Sequence, residues 1–177
     1  DRLLKYSSMN LNHTPHLDGV DLRLLNLLQH DASLSNQALA DAAHLSAATC
    51  HRRVKRLWDE GFIERQVAIL SPQKMADALG WGLSALVEIS LDVQTQEALD
   101  AFENRATQDS AVQQVWRVSP GPDFVLVVQV TDMPAYQELA KRLFTDDAQV
   151  RNVRAFFSVK RAKFQSTVPL PCSTSIS

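Results

Sequence analysis

The chain has 177 residues but only two cysteines, Cys50 and Cys172, and only five glycines. Two cysteines at this spacing make neither a disulfide framework nor a metal site. So few glycines leave no glycine-rich phosphate loop, and no paired nucleophile and base or metal-ligand cluster stands out. No apolar run approaches the ~20 residues that cross a bilayer, and the N-terminal stretch lacks a signal peptide's apolar core. A reducing cytoplasm is the expected compartment, with no cofactor, no metal and no membrane partner. One-sided charge is missing too: 18 Lys and Arg stand against 20 Asp and Glu, a formal net charge of -2. What is present is an ordinary globular composition, 45% hydrophobic and 21% charged, with room for one or two cores. The basic residues are unevenly spread. His51 to Arg56 holds four Lys/Arg and no acid, and Arg151 to Lys163 holds five and no acid. A local basic face on an acidic body is compatible with a DNA-binding element.

The first of those runs lies in Leu45–Trp58. Ser46 is a good helix N-cap, and Cys50, Val54 and Leu57 recur at i, i+4 and i+7 as one apolar stripe. At about 100° per residue, Ala48, Thr49, Arg52, Lys55 and Arg56 take the opposite face. Gly61 stops the helix as a left-handed residue just beyond it. Small residues at the helix N-terminus let it approach base edges, and the arginines reach phosphates or guanine. The bland alternative is an amphipathic surface helix with solvated arginines.

Along the chain, residues 1–16 carry no clear period and are expected to form a flexible tail, with Met9 as the natural start and Asp1–Ser8 upstream of it. Leu17 to His30 reads as a helix capped by Asp18, and Ser35 to Ala43 as a short alanine-rich helix. With the basic helix they make a helix-turn-helix unit. Phe62 to Leu70 is β-prone, as a wing or linking strand would be, and Ser71-Pro72 opens a short helix that Gly80 ends. The second half reads strand (Leu83–Leu91), helix (Thr95–Thr107), two strands (Val112–Val118, Phe124–Val130), helix (Pro134–Phe144), strand (Val153–Val159). This βαββαβ order is the ferredoxin-like plan, with both helices on one face of an antiparallel sheet. Apolar residues on both faces of Phe124–Val128 suggest that a partner sheet, most simply from a second copy, covers the other. The expected fold class is α+β. Its domains are a helix-turn-helix reader at 17–64, a linker strand and short helix at 65–80, a βαββαβ domain at 81–164 and a tail at 165–177.

Taken together, Leu17-Asp18-x-x-Asp21-x-x-Leu24-Leu25, Leu39-Ala40 with Leu45-Ser46, Cys50-x-x-Arg53-Val54-x-x-Leu57, Gly61-Phe62-Ile63 and Asp132-Met133-x-x-Tyr136 resemble the Lrp/AsnC family of bacterial and archaeal transcription regulators. The likeness runs from about Leu17 to Pro171. It implies a winged helix-turn-helix reader of double-stranded DNA joined to a ligand-sensing and oligomerisation module. It also implies a homodimer assembling into higher oligomers, an octamer first among them, and a small effector, usually an amino acid. The effector would bind between dimers near the loop joining the second and third strands, at Gly121, Asp123 and Phe124. That loop departs from the family's usual Gly-Asp-x-Asp-Tyr-type run, reading Pro120-Gly121-Pro122-Asp123-Phe124. Val153 and Ala155 also replace residues that are often threonines.

The expected DNA contacts are Ser46, Ala48, Thr49, Arg52, Arg53, Lys55 and Arg56. Arg53 lies at the edge of the dry stripe, where a salt bridge within the reader competes with a phosphate contact. Cys50 belongs to the stripe and reads as core rather than as a nucleophile. His44 and His51 lack a second ligand at metal spacing and read as surface or phosphate-adjacent residues. Trp58 and Trp116 read as packing, and Asp123 either binds an effector ammonium or caps its turn. Two other classes compete: an enzyme, since fold does not fix function, and a small-molecule-binding or assembly module of ferredoxin-like fold without DNA activity. The missing catalytic constellation argues against the first and the basic helix against the second. A regulator of this kind would place two recognition helices in successive major grooves of a pseudo-palindrome.

Overall fold

The computed structural model describes residues 16–80, 82–147 and 149–171, which divide into two compact units. One comprises residues 16–68 with 164–171, the other Ile69–Lys163. The expected start at Met9, the tail before residue 16 and Cys172 lie outside the described residues.

The first unit holds α1 (Gly19–His30), α2 (Asn36–Ala43) and α3 (Ala47–Asp59). Asp18 starts α1 by accepting from the Val20 and Asp21 N–H groups, and Asp21 accepts in return from the Asp18 N–H. This reciprocal box satisfies donors that a helix start leaves open. Ser35 and Ser46 cap α2 and α3 one way only, their side chains accepting from the Ala38 and Thr49 N–H groups. Leu24, Leu39, Ala40, Ala43, Cys50 and Leu57 form the core, and the two buried alanines of α2 let its neighbours come close. Between α2 and α3 the chain turns on His44, a non-glycine residue at φ 58°, while Arg23 Nη1 donates to the C-terminal end of α2 at Ala43 O (3.1 Å). After α3, Gly61 takes φ 80° and the Phe62 N–H bonds back to Leu57 O, so Phe62 and Ile63 fold onto the core.

The β-prone stretch Phe62–Leu70 is not a strand. It runs without pairing to α4 (Pro72–Leu79), and Val67, Ile69 and Leu70 are exposed. β-branched residues make a stretch able to pair, but a ladder needs a neighbour, and the chain supplies none here. Residues 164–171 return to the first unit in irregular form, where Gln29 both donates to Val168 O (3.0 Å) and accepts from Val168 N (2.9 Å).

In the second unit, β1 (Leu83–Leu91), α5 (Gln96–Gln108), β2 (Val112–Arg117), β3 (Phe124–Val130), α6 (Met133–Ala140) and β4 (Val150–Phe157) follow in the expected order. The antiparallel sheet runs β2-β3-β1-β4, the ferredoxin-like arrangement. Its inner face, Ala85, Val87, Ile89, Leu91, Phe124, Leu126 and Val128, packs against Phe102 and Ala106 of α5 and Tyr136 and Leu139 of α6. Phe102 and Phe124 meet at 4.9 Å between ring centroids. β4 differs from the Val153–Val159 expectation: it begins at Val150 opposite Leu91 and ends at Phe157 opposite Ala85. The Ser158 N–H makes a last bond to Ser84 O, and Val159 projects into solvent. Val153 and Ala155 pack towards the core. α6 passes at Lys141–Thr145 into a π-helical turn that keeps Leu143 and Phe144 buried.

Candidate functional site

The reading helix α3 presents two different basic flanks. Cys50 and Leu57 are buried against the core, which turns Ala48, His51, Arg52 and Lys55 outward, all exposed. Ser46 donates its hydroxyl to Thr49 Oγ1 (2.9 Å) and accepts from Thr49 N (3.3 Å), tightening the first turn beside Ala48. Lys55 pairs along the helix with Asp59, an exposed i,i+4 contact of little strength. Burial raises the Cys50 thiol's pKa, so it stays a neutral core group.

Arg53 and Arg56 belong to the other flank. They lie about 60° apart around the helix, and both face α1. Arg53 Nη1 contacts Asp18 Oδ2 (2.7 Å) and Asp21 Oδ1 (2.8 Å), while Arg56 Nη2 contacts Asp21 Oδ2 (2.5 Å). Asp21 is 1% exposed and the only buried charged side chain among the described residues. Hydrogen bonding to the two aspartates raises Arg53's pKa, and bonding to Asp21 raises that of Arg56. The Asp21 N–H, and after it the Arg53 guanidinium, outweigh burial and lower Asp18 to about 2. The Nε of Arg53 is the one buried side-chain nitrogen or oxygen without a partner among the described residues. Of the two expectations for Arg53, the structure therefore places it in the salt bridge inside the reader. Arg56 is tied too, although it remains 40% exposed. Of the four cations counted on the helix, Arg52 alone of Arg52, Arg53, Lys55 and Arg56 shows no ion pair. Asp21 was missed as a site residue. Its signal was an acid on the apolar stripe of α1, at i to Leu24 and Leu28, where a cation must face it.

The β2–β3 loop is built as a closed turn. Asp123 N donates to Ile89 O (2.8 Å), Val118 N donates to Asp123 O (3.1 Å), and Asp123 Oδ2 accepts from the Leu91 N–H (2.7 Å). The carboxylate thus holds a strand backbone. Phe124 is wholly buried in the core, so its ring does not line a surface site. Gly121 stands at φ 129° with open space where a Cβ would project. Beside the loop, Arg117 pairs with Asp100 and Glu103 of α5 and lies over the Phe124 ring. The Arg117 bond lowers Asp100's pKa. An open depression of about 450 Å3 lies elsewhere, at the opposite end of β3, between Asp77, Gly80, Thr131 and Asp132.

The sheet's outer face carries an apolar stripe. Cross-strand partners share a face, so Val127, Leu86 and Phe156 form one row, and Trp116, Val125, Glu88 and Arg154 the next. Trp116 is 58% exposed, and Leu86 and Phe156 are each 47% exposed. Neither Trp116 nor Trp58 packs as expected within the chain; both are exposed.

Comparison with known proteins agrees with this division of labour. A family model described as winged helix-turn-helix DNA-binding matches residues 17–64, and one described as Lrp/AsnC ligand binding domain matches residues 84–168. The DNA-binding transcriptional activator DecR of Escherichia coli K12 is 36% identical over 154 residues, spanning 87% of this chain and 99% of that protein. The glutamate uptake regulatory protein of Zymomonas mobilis is 33% identical over 155 residues, 88% of this chain and 92% of that one. Among solved structures, an AsnC family transcriptional regulator from Agrobacterium tumefaciens superposes with TM-score 0.77 at 29% identity, covering 86% of this chain and 97% of that one. A transcriptional regulator from Neisseria meningitidis in complex with L-Met superposes with TM-score 0.78 at 26% identity, covering 88% and 98%.

Proposed function

The chain belongs to the Lrp/AsnC family of transcriptional regulators, and from that premise we propose how it reads DNA and what governs it. It is a DNA-binding regulator with a ligand-binding domain, not an enzyme. We place it in the cytoplasm, where the DNA it reads would lie; among the described residues no helix is long and apolar enough to cross a membrane. Its contacts to DNA run along the exposed side of α3: Ser46, Ala48 and Thr49 nearest the base edges, Arg52 and Lys55 on phosphate or guanine. The observation that carries this reading is the outward turn of Ala48, Arg52 and Lys55 on a helix whose other side is core. Arg56 contributes from the flank, and Arg53 acts within the reader.

The chain works as a homodimer joined through the outer sheet face, and dimers assemble further. Its effector is a small molecule of amino-acid type, in keeping with the L-Met complex of the Neisseria relative, held near Gly121 and Asp123. Effector binding there alters assembly and so DNA affinity, and by linkage DNA alters effector affinity by the same factor.

The test is a titration against the DNA upstream of the protein's own gene at several salt concentrations, with and without a panel of amino acids. Tight binding that weakens steeply with salt is expected, and each of Arg52→Ala and Lys55→Ala should reduce the salt slope by about one ion. Wild-type affinity in both variants at moderate salt would remove α3 from the DNA. An affinity indifferent to every amino acid in the panel would remove the proposed effector class.

A further inference from the structure

Asp21 sits on α1, yet its carboxylate is paired with two arginines of the reading helix. Its two carboxylate oxygens take Arg53 Nη1 at 2.8 Å, Arg56 Nη2 at 2.5 Å and the Asp18 N–H at 3.1 Å. At 1% exposure and with three donors on it, this carboxylate is fixed by the fold. A charge buried this way is costly unless every lone pair is answered, and here two of the three answers come from α3. Arg56 is the partner with a side left over. One terminal nitrogen is spent on Asp21, while the side chain is 40% exposed, so its remaining N–H groups stand at the flank of the reading surface in one orientation.

We propose that Asp21 is a positioning residue for sequence recognition, holding the Arg56 guanidinium, without touching DNA itself, where it can make a directed contact beside Arg52. The inference rests on the reading of α3 as the recognition helix. Its consequence separates two kinds of affinity. Attraction to phosphates at large depends on charge and not on a fixed guanidinium. Directed contacts depend on a donor standing in place. Neutralising Asp21 therefore acts on the two in opposite directions. Asp21→Asn keeps the shape and an acceptor oxygen, removes one negative charge from behind the reading face and frees Arg56 to wander. A free guanidinium must be ordered again at each binding event, and that loss falls on the directed contact alone.

The experiment uses two probes: the duplex most enriched by the wild-type protein from a randomised pool, and poly(dI-dC). Affinities for both are measured for wild type, Asp21→Asn, Arg56→Ala and the double variant, alongside thermal melts. Asp21→Asn should lose roughly tenfold on the enriched duplex, the size of one directed contact, while binding poly(dI-dC) as tightly as wild type or tighter. The double variant should bind the enriched duplex no worse than Arg56→Ala, since Asp21 acts through Arg56. Equal losses on both duplexes, additive losses in the double variant, or wild-type affinity of Asp21→Asn for the enriched duplex would each overturn the assignment. Should Asp21→Asn not fold, Arg56→Lys decides. One ammonium keeps the charge but cannot hold Asp21 and present a second edge, so it should lose more on the enriched duplex than on poly(dI-dC); equal effects on the two overturn the proposal. If the wild-type protein enriches no sequence at all, the recognition-helix reading falls together with this inference. Enrichment by a protein indifferent to Asp21→Asn sinks the inference alone.

Discussion

Asp18 serves both ends of the reader's ion cluster, capping α1 through Val20 and Asp21 N–H while its other oxygen meets Arg53. Its pKa in the fold is about 2, against an ordinary 3.8. A carboxyl whose folded value is depressed adds stability that is complete above the unfolded value and disappears as pH falls through the folded one. The contribution should therefore be whole at neutral pH and drain away between 3.8 and about 2. Asp18→Asn retains a good cap residue but no charge. Melts of the two proteins should differ at about pH 5 and converge near pH 2. A constant gap across that range would mean that the cap, not the ionised carboxylate, supplies the stability. Asp123 can be tested in the same spirit. Its Oδ2 receives the N–H of Leu91, itself a buried residue. Asp123→Ala should cost about 1–3 kcal/mol by leaving that donor unanswered, whereas Asp123→Asn keeps an oxygen and should cost far less. A melt of Asp123→Ala like that of wild type would return the carboxylate to the effector reading.

The turn between α2 and α3 is where the helix-turn-helix unit is under backbone strain. His44 holds φ 58° and ψ 48° as the C-cap of α2, a region that costs an L side chain about 1–2 kcal/mol and glycine nothing. Its side chain is exposed and no core packing is lost with it. His44→Gly should raise the reader's stability by up to about 1 kcal/mol after the extra freedom of glycine in the unfolded chain is deducted. A lowered melting temperature would show that the imidazole makes a contact worth more than the strain. The elements around this turn were readable in the chain itself, because their limits are set locally: Ser35, Ser46 and Ser71 cap helices, while Gly61 and Gly80 take the left-handed positions that end them. Where limits are set at a distance, the local pattern misled. Phe62–Leu70 has strand composition without a neighbour, and β4 stops at its last pairing with β1, Phe157 opposite Ala85, rather than where its apolar residues end. Arg56 falls on the outward arc of a helical wheel, but the wheel does not contain α1 and the carboxylate waiting there. Asp21 itself was visible only as a misplaced acid on an apolar stripe.

At the scale of the whole molecule, the unfinished surface is the outer sheet face. Four strands with helices on one side leave the other bare, and here Val127, Leu86 and Phe156 in one row and Trp116 and Val125 in the next make it apolar across all four strands. Contiguous exposed apolar surface of this kind marks an interaction site, and in the proposed dimer an isologous pairing of two such faces would close with a single two-fold axis. Glu88 and Arg154, opposite each other on β1 and β4 with 3.4 Å between their charged atoms, sit inside the patch and would fix its register while contributing little energy if left exposed. Leu86 lies in the row that spans β3, β1 and β4. Leu86→Lys places a charge there that the single chain can leave in water, so the fold should lose no more than about 0.5 kcal/mol, as for an ordinary surface change. In the dimer the same ammonium would be buried without a partner, which is expensive. Sedimentation should show the wild-type protein as dimers or larger and Leu86→Lys as monomers with an intact far-ultraviolet spectrum. The monomer should also lose operator affinity far beyond its loss on a single half-site, because one reader no longer holds its partner at high effective concentration over the second groove. A Leu86→Lys protein that still sediments as the wild type does would place the dimer contact on another surface and leave this stripe without its proposed occupant.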